Sequence, residues 1–407
     1  MTRSDMTGSS MTGSDDSPDD DLVDRIAGLG ADGATHALRH RREKVAAATQ
    51  GSYDALFDPA LPGLTLIERL LVALYASRLT PAPGLAAHYR ERLQAAGAEA
   101  TLIDAVQGDG APTLADGRLR AILAFTRTLI EKPVAADKAA LRALPTAGLA
   151  TPAVIALAQL IAFLSYQVRL VAGLRALSAV HHSAPLPDEP VRGAGARPRT
   201  APAAASAAVN SGQSSDAVIS AQGFTSQPLG WKAWLDVVDL DLATPVQIQV
   251  LEESHPQAMT SDYYRLLVHQ PEILRHRSAA FNAIMYAPNG MTRAERELGA
   301  TVTSRSNGCV YCASVHAQRF EQLTKRNNVI RQVFENPQTA GGDARERAIV
   351  RFSLDLTARP GGLTPDDIRA LGDSGLQASE ILDLIHSVAI FAWANRLMLN
   401  LGEPVFP

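Results

Sequence analysis

The residues most capable of chemistry lie within "SRSNGCVYCASVHAQRF", residues 304–320. This stretch contains both cysteines of the chain, Cys309 and Cys312, and His316 follows one helical turn after the second. Glu297 stands one short segment earlier, in "TRAERELG". A close cysteine pair beside a histidine can act as a redox dithiol or contribute to a metal site.

The spacing of these residues predicts that they share one face of a helix. The "SNG" at 306–308 breaks the chain, and we expect a new helix there with Ser306 or Asn307 at its cap. Positions 309, 312 and 316 then lie on one face, because an α-helix turns by about 100° per residue. Cys309 falls in the first turn, where free backbone N–H groups and the helix dipole favour an anion, so we expect a lowered thiol pKa.

The elements that must position these residues occur twice. At an offset of 227 the aligned segments are 64–79 with 291–306, 117–129 with 344–356, and Arg169-Leu170 with Arg396-Leu397. Agreement in one register over roughly a hundred residues indicates a tandem duplication of one unit.

Helix signals occur throughout both copies. Thr292 with Glu295 forms a capping box, and Thr364 with Pro365 opens another helix. The window 379–402 carries apolar residues at helical spacing, and no stretch alternates as a strand. We predict an all-α fold of two tandem helical-bundle repeats, each of about six helices.

Composition divides the chain into four parts. Residues 1–22 are rich in Ser, Thr, Gly and Asp without an apolar export signal, which predicts a disordered tail. The first repeat spans 23–180 and the second spans 227–407. Residues 181–226 are rich in Ala, Pro, Gly and Ser, which is typical of a flexible linker.

Charge and apolar patterning exclude several classes of protein. A formal net charge of -4 and a pI near 6.2 leave no basic excess for nucleic acid or an anionic membrane. The longest apolar stretch, residues 151–164, is too short by itself to span a bilayer. We therefore expect a cytoplasmic protein, and in that reducing compartment a close cysteine pair is metal-binding or catalytic.

The first copy replaces each reactive residue with an unreactive one. Subtracting 227 gives Ala82 for Cys309, Leu85 for Cys312, Tyr89 for His316 and Leu70 for Glu297. The two leucines indicate that Cys312 and Glu297 face an interior. Burial should raise the pKa of the Glu297 carboxyl and make it a proton acceptor for a neighbouring thiol.

The pattern of Glu297, Cys309-x-x-Cys312 and His316 resembles the signature of the alkyl hydroperoxidase D family, within the carboxymuconolactone decarboxylase-like superfamily. The resemblance covers most of residues 230–402 with the motif, and residues 55–177 as fold only. It implies that the cysteines cycle between dithiol and disulfide while reducing hydroperoxides, with Glu297 and His316 as a proton relay. Electrons would come from a dithiol donor, a lipoylated or thioredoxin-like protein, with no bound cofactor or metal.

The resemblance to this family leaves two details open. Some family members carry His just before the second cysteine, where this chain has Tyr311. Helix-dipole reasoning favours Cys309 as the thiol of lower pKa, whereas the resemblance implies that Cys312 attacks the peroxide. The sequence alone does not decide which of the two cysteines attacks the peroxide. We also expect a homo-oligomer, in which the inactive first repeat acts as a pseudo-subunit.

The same residues are also compatible with functions other than a peroxidase. Glu297, Cys309, Cys312 and His316 could bind a metal, but structural zinc sites usually use two separated ligand pairs. The chain could also be a redox-silent oligomerisation module or a general disulfide oxidoreductase, whereas lactone decarboxylation leaves the cysteine pair without a role. Glu297 could form only a surface ion pair with Arg293.

Single residues near the motif also have alternative interpretations. His316 could be a core histidine, and Tyr311 is more typical of packing than of chemistry. His386 and Asn395 on the last helix either approach the site or belong to an interior polar network, so neither is assigned.

Overall fold

The computed structural model describes residues 21–108, 110–183 and 218–407, and these residues are mainly helical. The helices of the first half are α1 (Leu22–Ala27), α2 (Ala34–His40), α3 (Glu43–Phe57), α4 (Leu66–Leu79), α5 (Pro83–Ala95), α6 (Ala100–Gln107), α7 (Gly117–Glu131), α8 (Lys138–Thr146) and α9 (Thr151–Ser183). Those of the second half are α10 (Pro245–Ser254), α11 (Asp262–Leu267), α12 (Pro271–Met285), α13 (Arg293–Ser306), α14 (Val310–Thr324), α15 (Asn328–Glu335), α16 (Ala344–Ala358), α17 (Pro365–Asp373) and α18 (Ala378–Asn400). The predicted all-α class is confirmed.

The helices of the two halves recur at the offset of 227 found in the sequence. Shifted by this amount, α4, α7 and α8 coincide at both ends with α13, α16 and α17. The short 3₁₀ turn Pro133–Ala135 likewise coincides with Pro360–Gly362. In the part of the chain that the structure describes, each half contains nine α-helices rather than the six expected, because short helices such as α1 and α2 have no long apolar window by which to recognise them.

Two short antiparallel hairpins accompany the helices. β1 (Ser220–Ala221) pairs with β2 (Phe224–Thr225), and β3 (Gly230–Ala233) pairs with β4 (Gly402–Val405). No strand was predicted, because segments of two to four residues are too short for alternation to be visible. β3 and β4 join the beginning of the second repeat to the end of the chain.

The structure also describes both ends of the predicted linker. Helix α9 continues to Ser183, and β1 and β2 fall within 218–226. Of the predicted tail at 1–22, residues 1–20 lie outside the described residues, as does the middle of the linker, 184–217. The prediction was wrong for its last two residues, because Asp21 caps α1 and Leu22 is a buried residue of that helix.

The longest helices, α9 and α18, pack against each other and form the core between the halves. Gly173 permits their close approach, because a Cβ at this position would lie 2.6 Å from Ile385 Cγ2. Trp393 Nε1 on α18 donates a hydrogen bond to Gln159 Oε1 on α9 at 2.9 Å. The two halves therefore share one continuous interior.

Both long helices have the length and apolar composition of a membrane span. Residues 151–164, judged too short in isolation, are part of the 33-residue helix α9, so that argument from length was wrong. Burial is the better guide: the most apolar window is entirely buried in α9 and almost entirely buried in α18. Such burial is that of core helices in a soluble protein.

Candidate active site

Helix α13 positions Glu297 as a fully buried carboxylate. The helix begins at the predicted capping box of Thr292 and Glu295. Oε1 of Glu297 accepts a hydrogen bond from Arg293 Nε at 2.5 Å, and Oε2 lies 2.5 Å from His316 Nδ1. The contact with His316 expected for a proton relay and the ion pair with Arg293 are therefore both present. In the ion pair, the Glu297 side chain is fully buried and the Arg293 side chain is partly exposed.

The two hydrogen-bond partners of Glu297 reverse the expected direction of its pKa shift. Burial is the largest single effect and acts to raise the pKa of this carboxyl. The charges and hydrogen bonds of His316 and Arg293 together outweigh burial, so the pKa of Glu297 lies below its usual value. The expected rise toward neutrality was wrong in sign. Glu297 therefore stays ionised near pH 7, which suits it to hold and stabilise His316 rather than to carry the proton itself.

His316 is oriented from two sides within α14. Its ring lies edge-on to Phe391, with centroids 4.4 Å apart, and its Nδ1 faces Glu297. The other ring nitrogen, Nε2, is therefore the atom left for proton exchange. Cys312 precedes His316 by four residues on the same helix, and such positions are neighbours, with about 5–6 Å between Cβ atoms.

A sharp turn places Cys309 at the start of α14. Helix α13 ends at Ser306, Asn307 is its C-terminal cap, and Gly308 adopts a φ of +77°. A Cβ at Gly308 would lie 2.3 Å from Val134 Cγ1, so the turn needs glycine for its conformation and for the close approach of the first repeat. Cys309 is the N-terminal cap of α14, which corrects the cap expected at residue 306 or 307.

Both cysteines are free thiols and almost fully buried, at 1% exposure for Cys309 and 4% for Cys312. Burial, together with the neighbouring Cys312 thiol, raises the pKa of Cys309 well above its ordinary value. The backbone N–H of Cys312 and the side chain of Asn395 act in the opposite direction but are weaker. The expected lowering of the Cys309 pKa was therefore wrong, because desolvation outweighs the donors at the helix terminus.

Asn395, left unassigned from the sequence, belongs to the surroundings of Cys309. Its Oδ1 accepts a hydrogen bond from Asn307 Nδ2 at 3.0 Å, and its Nδ2 donates to Ser304 Oγ at 3.0 Å. The side chain is fully buried, and it lowers the pKa of Cys309. Helix α18 thereby holds the turn between α13 and α14 and supplies a polar group to the first thiol.

His386, the other unassigned residue, lies in a different environment. It precedes Asn395 by nine residues on α18, a distance of about 13.5 Å along the helix axis. Burial lowers the pKa of His386 to about 3, and the positive charges of Arg39, Arg42 and Arg296 act in the same direction. His386 is therefore a neutral core histidine between the two halves.

Two tyrosines outside the predicted set border the thiols. Burial raises the pKa of Tyr311 to about 12, and the charges of Cys312 and Cys309 add to the effect. Burial also raises the pKa of Tyr263 on α11, with smaller contributions from both cysteines. Tyr263 Oη is buried and has no hydrogen-bond partner within the described part of the chain. No sequence signal pointed to Tyr263, because α11 is distant in sequence from the cysteines.

The metal interpretation requires ligand atoms that converge. Within the described ranges, Asp24, His36 and His40 form a group of potential ligands whose atoms lie within 4.8 Å of one another, whereas Glu297, Cys309, Cys312 and His316 form no such group. The Asp24 carboxylate already accepts a hydrogen bond from Arg39 at 2.8 Å. The contact that the structure does form is the one between Glu297 and His316, one helical turn from Cys312 on α14.

The site lies in a segment with known relatives. Residues 271–355 match the model of the carboxymuconolactone decarboxylase family, a span that includes all four predicted site residues. The protein thus carries a carboxymuconolactone decarboxylase family domain, and the resemblance indicated by the motif is confirmed.

Two solved structures are similar to part of the chain. An uncharacterized peroxidase-related protein from Ralstonia eutropha JMP134, described as an alkylhydroperoxidase AhpD core, is 27% identical, with 40% of this chain and 87% of that protein covered and a TM-score of 0.37. An uncharacterized peroxidase-related protein from Silicibacter sp. TM1040 is 23% identical, with 39% and 86% covered and a TM-score of 0.35. A comparison with curated protein sequences finds no match.

Proposed function

We propose that the protein is a thiol peroxidase that reduces hydroperoxides through Cys309 and Cys312. The observation that carries this proposal is the buried contact between Glu297 and His316, one helical turn from Cys312. Burying a carboxylate and its polar partner costs free energy, and a module that only packs has no need of them. The first repeat has Leu70 and Tyr89 at the equivalent positions and buries both.

His316 is suited to accept the proton of Cys312, while Glu297 stabilises the resulting imidazolium. The Cys312 thiolate then attacks the distal oxygen of a hydroperoxide, forming an S–O bond as the O–O bond breaks. The proton on His316 leaves with the alcohol. Cys312 is now a sulfenic acid, and the hydroperoxide has been reduced by two electrons.

Cys309 is suited to the second step. Its sulfur attacks the sulfenic acid of Cys312, its proton combines with the departing hydroxyl to form water, and a disulfide results. The raised pKa of Cys309 fits a thiol that reacts second and keeps its proton until then. An external dithiol reduces the disulfide and is itself oxidised. We propose a lipoylated or thioredoxin-like protein as this donor and the cytoplasm as the compartment.

Thiol counting before and after treatment with peroxide tests the cycle. We expect two titratable thiols in the reduced protein, none after peroxide, and no intermolecular disulfide on a non-reducing gel. Cys309→Ser should stop at a sulfenic acid that dimedone traps, whereas Cys312→Ser should not react. Two thiols that survive peroxide would refute the proposal.

Peroxide consumption with a panel of dithiol donors then separates a peroxidase from a general disulfide oxidoreductase. A peroxidase consumes hydroperoxide at a rate that depends on the donor. An oxidoreductase exchanges with disulfide substrates and leaves the hydroperoxide unchanged. Metal analysis of the purified protein addresses the metal-binding alternative in the same preparation.

A further inference from the structure

A cavity of about 920 Å³ lies between the two halves of the protein. The turn before Cys309 forms one wall through Asn307 and Gly308. The 3₁₀ turns Pro133–Ala135 and Pro360–Gly362, equivalent in the two repeats, form two others. The cavity therefore has walls from equivalent segments of both repeats, and neither repeat encloses it alone.

Two buried arginines line this cavity in equivalent positions. Arg169 and Arg396 are separated by 227 residues and are 5% and 2% exposed. Arg169 Nη2 donates to Thr357 O at 2.5 Å, and Arg396 Nη2 donates to Ile130 O at 3.1 Å. Ile130 and Thr357 are also 227 residues apart, so each arginine reaches across to the end of a helix in the other half.

Within the described residues, neither guanidinium is paired with a negative charge. Throughout residues 21–108, 110–183 and 218–407, the hydrogen bonds of Arg169 and Arg396 go only to backbone carbonyl oxygens. Arg169 Nε is buried and has no hydrogen-bond partner among these same residues. Buried charges in proteins are usually paired, because an unpaired charge away from water is costly. Arg169 Nε can therefore donate a hydrogen bond to a ligand, and the positive charges of Arg169 and Arg396 can pair with an anionic one.

The pKa shifts of Arg169 and Arg396 agree with their buried positions beside the cavity. Burial lowers the pKa of Arg169 to about 10. For Arg396, burial is the larger cause of a lowered pKa, and the positive charge of Arg169 adds to it. The two cations thus destabilise each other, and an anion between them would relieve both.

The remaining lining combines positive charge with apolar surface. The other charged lining residues are Arg305, Arg359, Lys132 and Glu131. Arg359 is paired with Asp355, whereas Arg305 lies over the ring of Phe224, 4.4 Å from its centroid. The apolar lining includes Leu79, Ile130, Val134 and Phe224. A volume in the range of about 300–1,000 Å³ is that of small-molecule sites.

We propose that this cavity binds an organic anion whose carboxylate lies between Arg169 and Arg396 and whose aliphatic chain contacts the apolar lining. Guanidinium groups bind carboxylates through paired, charge-assisted hydrogen bonds, and two of them can hold one carboxylate from both sides. The site is distinct from the thiols and does not depend on the peroxidase function. Asn307, which lines the cavity, donates to Asn395 beside Cys309 and so connects the two sites.

Calorimetric titration of the full-length protein with octanoate tests the proposal. 1-Octanol supplies the same chain without the charge, and inorganic phosphate supplies charge without the chain. We expect one octanoate per chain, bound at least about tenfold more tightly than either comparison probe. Equal binding of 1-octanol, tighter binding of phosphate, or no binding of octanoate would each overturn it.

Substitutions then locate the ligand. Arg169→Gln and Arg396→Gln should each weaken octanoate binding by at least about tenfold, with folding checked by thermal unfolding. Arg351→Gln is the matched control, because this arginine is 67% exposed on α16, pairs with Asp355 and does not line the cavity. If a buried variant does not fold, Arg305→Gln at the rim should weaken binding by about two- to fivefold. Full affinity in every folded lining variant would overturn the assignment.

Discussion

Replacing Glu297 with Gln tests the proton relay most directly. Glutamine keeps the size and planar shape of the side chain but removes the negative charge that lies 2.5 Å from His316 Nδ1. The imidazolium that forms when His316 takes the thiol proton then has no anionic partner. The proton acceptor is weakened while the cysteines and the helices that carry them stay in place.

The expected loss of rate in Glu297→Gln follows from the type of contact that the substitution removes. A hydrogen bond to a charged group is worth about 1.5–3 kcal/mol, and the Glu297 carboxylate is fully buried, so water does not screen it. At about 1.36 kcal/mol per factor of ten, this loss corresponds to a rate lower by about 10- to 150-fold. A complete general base contributes about 10²- to 10⁴-fold, and the expected loss is smaller because Glu297→Gln removes the residue that stabilises the base, His316, and leaves the base itself in place.

The assay is stopped-flow peroxide consumption as a function of pH, together with the rate of alkylation of the thiols. In Glu297→Gln the reactive thiol should titrate at higher pH, and activity should partly recover in alkaline solution, where hydroxide forms the thiolate. Glu295→Gln is the matched control, because Glu295 lies on the same helix but caps it and pairs with Arg345. This control should lose some stability and little rate. Near-normal turnover of Glu297→Gln with an unshifted alkylation profile would refute the relay.

Three further predictions concern the surroundings of the site. We expect the Tyr263 hydroxyl to donate a hydrogen bond to the bound peroxide, so Tyr263→Phe should lower the rate by about tenfold. Thermal unfolding should show equal or greater stability, because the substitution removes a buried hydroxyl that has no partner within the described residues. An unchanged rate would exclude Tyr263 from the reaction. The lowered pKa of Glu297 means that its contribution to the free energy of unfolding is complete above its unfolded pKa of about 4.3 and is lost as the pH falls through the folded value. Urea unfolding between pH 3 and pH 7 should therefore give a smaller loss of stability in acid for Glu297→Gln than for the unmodified protein, and equal losses would contradict the pKa. Residues 1–180 expressed alone should self-associate and lack peroxidase activity, because the face of α9 that packs on α18 would be exposed; a monomeric fragment beside a fully active 227–407 fragment, as measured by light scattering and peroxide assay, would contradict the pseudo-subunit role.

The sequence alone determined the helical class, the duplication and the set of candidate residues. Helical periodicity and capping boxes are local patterns, so Thr292 with Glu295 identified the start of α13 correctly. The offset of 227 is a property of the residue order, and the helices of the two halves repeat it. Spacing on one helix was likewise enough to predict that Cys312 and His316 are neighbours.

Only the tertiary structure decided the charges and the surroundings of these residues. The pKa directions of Glu297 and Cys309 were both mistaken from the sequence, because each depends on burial weighed against partners that folding brings close. Tyr263 and Asn395 reach the thiols from helices far away in the chain. Desolvation and Coulomb energy depend on distances in space, and a residue's position in the chain does not specify those distances until the helices have packed.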